Sequence, residues 1–158
     1  MASGIVINSV RDALAAALLL LEPAHEEVVW LVPPSIHTLS QHYDFVEKAR
    51  AFVRQGGILR GIVAISHANV GEVQAKVANG EDVRHSDEVH ELFMYVADRR
   101  HSVSAINVGV AEYALDTPVT AFWSERPDYA EYLLPAFEAA WARAVPARQR
   151  IDELLERG

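Results

Sequence analysis

Seven histidines, 22 acidic residues and no cysteine set the chemistry open to this chain. Without thiols there is no disulfide, no thiolate zinc site and no cysteine nucleophile. Histidine and carboxylate groups remain, suited to metal binding or proton transfer. His37 and His42 are five apart, the wrong spacing for one helical face. His85, His90 and Glu91 gather around Asp87 and Glu88 and offer nitrogen and oxygen ligands. The run also reads as a solvated polar turn, and that reading leads to an expectation of no metal and no cofactor. The nucleophile elbow Gly-x-Ser-x-Gly, the phosphate loop and His-Glu-x-x-His are all missing. Gly56, Gly57 and Gly61 lack dinucleotide spacing and suit a helix stop followed by a close-packed strand. No residue is therefore assigned a catalytic role.

The elements give these residues a place. Ser9-Val10-Arg11-Asp12 resembles a capping box, opening an apolar helix that ends before Pro23, within an N-terminal segment 1–24. Val28 to Val32 is a continuous run of strand formers bounded by Pro33-Pro34, the mark of a strand covered on both faces. Thr38 to Gln55 has helical spacing, and Gly56-Gly57 ends it. Ile58 to Ile65 predicts a second buried strand, and Val70 to Ala78 a short helix. Beyond a short strand near Val83, Leu92 to Ala97 and Ser102 to Val108 predict a hairpin. Val119 to Trp123 predicts another strand. A helix follows from Pro127, with Ser124 as a cap and Pro135 as a kink, then a final short helix from Arg148. The fold class is α/β: a mixed, mostly parallel sheet with a hairpin and helices on both faces, one domain over 1–158.

Ligands in open α/β sheets settle beyond the carboxyl ends of the parallel strands. Ser35 and His37 follow the first such strand, Ser66 and His67 the second, and Ser124 and Arg126 the last. If these ends are adjacent, hydroxyls, imidazoles and a guanidinium form one rim site. Helix capping by Ser35, Thr38, Ser66 and Asn69 competes with that role.

Composition narrows the partners. The formal net charge is −8, which repels phosphate backbones, so no direct nucleic-acid contact is expected. The longest apolar run, Ala13 to Leu21, is far short of the about 20 residues a membrane span needs. No membrane contact is expected, and the location is read as cytoplasmic. Hydrophobic residues make up 51% of the chain, a surplus that suits buried helices or a homodimer interface.

Three passages resemble one half of the phospholipase D-like fold, over residues 27–158. They are Val28 to Ser35; Glu91 to Asp98 with the return through Val108; and Ala121 to Ser124 leading into Tyr129 to Ala142, with Trp141 near the helix end. The layout is similar to the sensor domains of some prokaryotic transcriptional regulators. Active members of that superfamily use His-x-Lys with an aspartate after four further residues. The histidine is the nucleophile and the lysine holds the phosphate. Aligning Asp98 with that aspartate puts Glu91 at the histidine position and Phe93 at the lysine position. Glutamate repels phosphate and phenylalanine brings no charge. His90 is one residue out of register, on the opposite face of a strand.

The resemblance implies a catalytically silent sensor, regulatory or dimerisation module that binds a small molecule or a partner protein. Its candidate ligand-binding residues are Ser35, His37, Ser66, His67, Glu91, Ser124 and Arg126. An atypical phosphodiesterase-like hydrolase and a pure protein-interaction scaffold are the alternatives.

Overall fold

The computed structural model describes residues 4–41, 44–88, 92–106 and 112–157. The chain runs β1 Gly4–Ser9, α1 Val10–Leu21, β2 Glu27–Leu31, α2 Pro34–Ser40, α3 Phe45–Arg54, β3 Ile58–Val63 and α4 Val70–Ala78. It continues through β4 Asp82–His85, β5 Leu92–Ala97, β6 His101–Ile106, β7 Pro118–Ser124, α5 Pro127–Arg143, β8 Val145–Pro146 and α6 Ala147–Arg157. All eight strands form one sheet in the order β1-β7-β6-β5-β2-β3-β4-β8.

The sheet is mixed, as expected, but its parallel part is narrower than the sequence suggests. Among the described residues, only β2–β3 and β3–β4 pair in parallel. The remaining neighbours are antiparallel, including β5 and β6, the expected hairpin. The N-terminal segment also differs from expectation. It opens with β1 on β7, whereas α1 runs from its Ser9 cap to just before Pro23, as the sequence suggests. Thr38 to Gln55 is not one helix but parts of two, α2 and α3.

Alternation along the central strands divides two cores. Val28, Trp30 and Val32 face a layer built by α1, α2, α3, α4 and α6. Val29 and Leu31, with Ile62, Met94 and Val96, face α5. Within the first layer, Gly61 opposes Trp30 across β2 and β3. A Cβ at residue 61 would overlap the Trp30 indole, so glycine here makes room for a large ring.

Local signals fix the ends of the helices. Ser9 Oγ accepts from Asp12 N at 3.2 Å and caps α1. The next exposed donors of α1, Val10 N and Arg11 N, reach Thr117 O and Leu115 O. At the end of α4, Gly80 takes φ 94°. Gly80 N bonds Val77 O, and Glu81 N bonds Lys76 O. This is a Schellman closure, which brings residues 76 and 81 side by side. Pro135 sits inside α5, and the helix continues through it.

Candidate functional site

Strand direction separates the residues expected at one rim. β2 and β3 end at the rim where β5 begins. Ser124 pairs with Ser102, next to the Ala97–His101 closure of the hairpin, at the opposite end of the sheet. Ser124 and Arg126 therefore cannot join Ser35, His37, Ser66 and His67. β7 runs opposite to β2, through the antiparallel β5 and β6, so its carboxyl end lies at the other rim.

The hydroxyls at both rims serve the backbone. Ser35 Oγ accepts from Tyr113 N at 3.1 Å. Ser66 Oγ accepts from Ala68 N, while Ser66 N donates to Asn69 Oδ1. Ser124 Oγ accepts from Arg126 N at 3.1 Å. The Arg126 guanidinium is paired with Asp128 through two bonds of 3.0 and 2.8 Å on the open surface. His67 is exposed. Glu91, with His90, lies outside the described residues. His85 Nδ1 accepts from Ile65 N, and its Nε2 faces Asp87 at 3.1 Å. Among the described residues no three histidines or carboxylates are grouped to hold a metal.

Among the described residues of the expected set, His37 is the one that borders a cavity beneath α2. It is 2% exposed, beneath α2 and beside Trp30, with ring centroids 5.7 Å apart. There it borders a cavity of about 30 Å³ with Ser40, Phe45, Lys76, Glu81 and Tyr95. That volume fits one or two water-sized groups. Lys76 Nζ lies 5.4 Å from the centre of the Trp30 ring and 3.8 Å from Glu81 Oε1. Neither ring nitrogen of His37 nor Glu81 Oε1 has a hydrogen-bond partner. His37 Nδ1 approaches Glu72 Oε2 at 3.3 Å. Burial, then the charge of Lys76, pushes the His37 pKa down to about 3, so the ring is neutral. Burial raises the Glu81 carboxyl, against the pull of Lys76. Burial also raises the Tyr95 hydroxyl, keeping it protonated.

The pocket thus joins one cation, two hydroxyls, a neutral imidazole and a carboxylate to an aromatic wall. Sequence reasoning found His37 but not Lys76 or Glu81, because charged residues on a short helix and after a Gly turn read as solvent-facing. The available signal was spacing: Lys76 follows Val73 by three, on the inward stripe of α4.

The positions matched to phospholipase D chemistry have other work. Phe93 is 2% exposed, in the core beneath α1. Asp98 anchors a turn in which it and Arg99 take φ 53° and 54°. Its carboxylate accepts from the backbone N–H groups of His25, Glu26 and Glu27 at 2.8–3.0 Å. Burial alone would raise that carboxyl, but the three donors outweigh it and hold the pKa below the usual range.

No protein-family model matches the chain, and no curated protein sequence does either. Solved structures do. TrmBL2, an archaeal chromatin protein, superposes with a TM-score of 0.71 at 16% identity, over 92% of this chain and 54% of its own. The phospholipase D family member Nuc from Salmonella typhimurium gives 0.66 at 12% identity, over 90% of this chain and 97% of Nuc. NucT from Helicobacter pylori gives 0.68 at 9%, over 90% and 98%. The fold is phospholipase D-like.

The phospholipase D-like chain spans about half the length of TrmBL2. One expectation is overturned by that comparison. TrmBL2 is described by a novel mode of DNA binding, so acidic composition is no ground for excluding nucleic acid from a chain of this fold. Net charge averages over the whole surface, whereas DNA contact depends on local patches and on the rest of the assembly. Among the described residues, no helix is long and apolar enough to cross a membrane.

Proposed function

We propose that this chain is a regulatory module of the phospholipase D-like fold, silent in phosphodiester chemistry, whose cavity beneath α2 seats a ligand group no larger than one or two waters. The observation that carries the reading is Phe93, a buried core residue where the resemblance calls for a phosphate-holding lysine. Asp98, the third motif position, is committed to backbone donors. The cavity supports the seat because it holds unsatisfied buried polar atoms next to Lys76 and Trp30, in contrast to the satisfied rim hydroxyls. A ligand supplying donors and acceptors there would relieve the desolvation cost of those atoms.

The test pairs an activity assay with a thermal-shift screen. The purified protein should show no turnover of bis(p-nitrophenyl) phosphate or duplex DNA. Ions and molecules of two or three heavy atoms, such as ammonium, formate and methanol, are then screened for stabilisation. A ligand at 100 times its dissociation constant adds about 2.7 kcal/mol, a shift of about 5–10 °C for a chain this size. Lys76→Met should remove the shift, with Ser66→Ala leaving it intact. Phosphodiester turnover that disappears in His90→Ala would replace this reading with the hydrolase one.

A further inference from the structure

Of the 14 lysine and arginine residues, only Lys48 and Lys76 are lysines. Their settings are opposite. Lys48 Nζ meets Glu22 at the surface, on a side chain 41% exposed. The Lys76 side chain is 10% exposed and lines the cavity beneath α2. A lysine stem usually carries its amine out to water. Here the inward stripe of α4 and the Schellman closure after it hold the amine inside. As a buried partner for Glu81, arginine would serve better, because its fork satisfies a carboxylate through two bonds. Lysine brings what arginine lacks, a nitrogen that can act as a nucleophile.

The surroundings suit a nitrogen that bonds to carbon and stays positively charged. Glu81 Oε1, 3.8 Å from Lys76 Nζ, has no hydrogen-bond partner and can carry a proton. The Trp30 ring centre lies 5.4 Å from the same Nζ and stabilises a cation there. His37 adds buried ring nitrogens without a hydrogen-bond partner and no charge to repel one. Phe45 and Tyr95 complete an aromatic wall that limits water. The space left fits a group the size of one or two waters. A free molecule that small makes too few contacts to be held tightly. A covalent bond to the wall removes that limit.

We propose that Lys76 forms a Schiff base with a small aldehyde in this cavity, formaldehyde being of the size the space admits. The inference rests on the reading of the cavity as a ligand seat. Glu81 takes a proton from the Lys76 ammonium, a role that its raised proton affinity suits. The freed lone pair bonds to the carbonyl carbon, and the carbonyl π pair moves onto oxygen. A proton passes from nitrogen to that oxygen, giving a carbinolamine. Glu81 then returns its proton to the hydroxyl. The C–O bond breaks, water leaves, and the nitrogen lone pair closes the C=N bond. Ammonium and aldehyde thus become iminium and water, with nothing else consumed. The positive charge stays on nitrogen throughout the exchange, so the iminium keeps Glu81 as its counter-ion and Trp30 as its π partner.

Two lysines in opposite settings make the test internal to the wild-type protein. Formaldehyde with cyanoborohydride at neutral pH converts a Schiff base to a stable methylamine. Peptide mass spectrometry then reads Lys48, Lys76 and the N-terminal amine separately. Burial alone slows a lysine, so an inert Lys76 is labelled after Lys48. The proposal requires the reverse order, with Lys76 faster by about tenfold, as a positioned proton carrier allows after burial has taken its share. Glu81→Gln, in protein that keeps its circular dichroism spectrum, should put Lys76 behind Lys48. Lys48 labelled first in the wild type, or an unaltered order in Glu81→Gln, would overturn the proposal. If ammonium, formate or methanol still stabilises the protein in that case, the cavity remains a ligand seat without the Schiff base. If none does, both readings fall.

Discussion

His37 links the stability of the fold to pH. Its folded pKa is about 3, far below the ordinary 6.5, because burial disfavours the charged ring. Between those two values the unfolded chain binds a proton that the folded chain refuses. Stability therefore falls as pH drops below about 6.5, by up to about 1.4 kcal/mol per unit from this residue. Glu81 acts in the opposite sense. Its carboxyl is raised, so its contribution declines as pH rises above the ordinary 4.5. Urea unfolding at pH 4, 5, 6 and 7 should show the loss on acidification, and His37→Gln should flatten it. An unchanged slope in the variant would mean that His37 is not held neutral.

At the scale of elements, the Schellman closure after α4 places Lys76 and Glu81 where hydrophobic partners usually meet. Removing one charge strands the other. Lys76→Met alone should cost about 3–5 kcal/mol, while Lys76→Met with Glu81→Leu should be nearly neutral. Thermal unfolding of the two single variants and the double variant measures the coupling. The same elements show what was legible in the sequence. β2, β3, α4 and the hairpin follow from apolar runs and Gly punctuation, and α1 from its Ser9 cap. β1 was missed because its partner β7 lies more than 100 residues away, and a short Gly-led run reads locally as the approach to a helix. The rim site failed for a related reason: strand ends are visible in sequence, but which rim Ser124 reaches depends on strand order. Phe93 was legible as a departure from the phospholipase D pattern, though its burial in the core was not.

For the whole molecule, the two faces of the sheet are unequally covered. The first core draws on five helices, whereas the second rests on α5, with Phe137 fully buried at its centre. Both cores share β2, β3 and β5. Weakening the thinner layer should therefore bring down the entire sheet. Phe137→Ala should cost about 3–5 kcal/mol. Its heat-capacity trace should keep a single transition at lower temperature, because no strand of the central group belongs to one core only. Two separated transitions would mean that the layers are independent units.

The Trp30 indole, seated over Gly61 with His37 beside it and Lys76 near its face, also has an optical consequence. The other tryptophans, Trp123 and Trp141, lie outside the cavity lining. With those two replaced by phenylalanine, the remaining emission comes from a ring in the wall of the cavity. A cation near one side of an indole, and any change in hydration beside it, shifts its colour and brightness. The chain thus carries a built-in fluorophore whose spectrum reports what enters the space beneath α2, without a dye or a label.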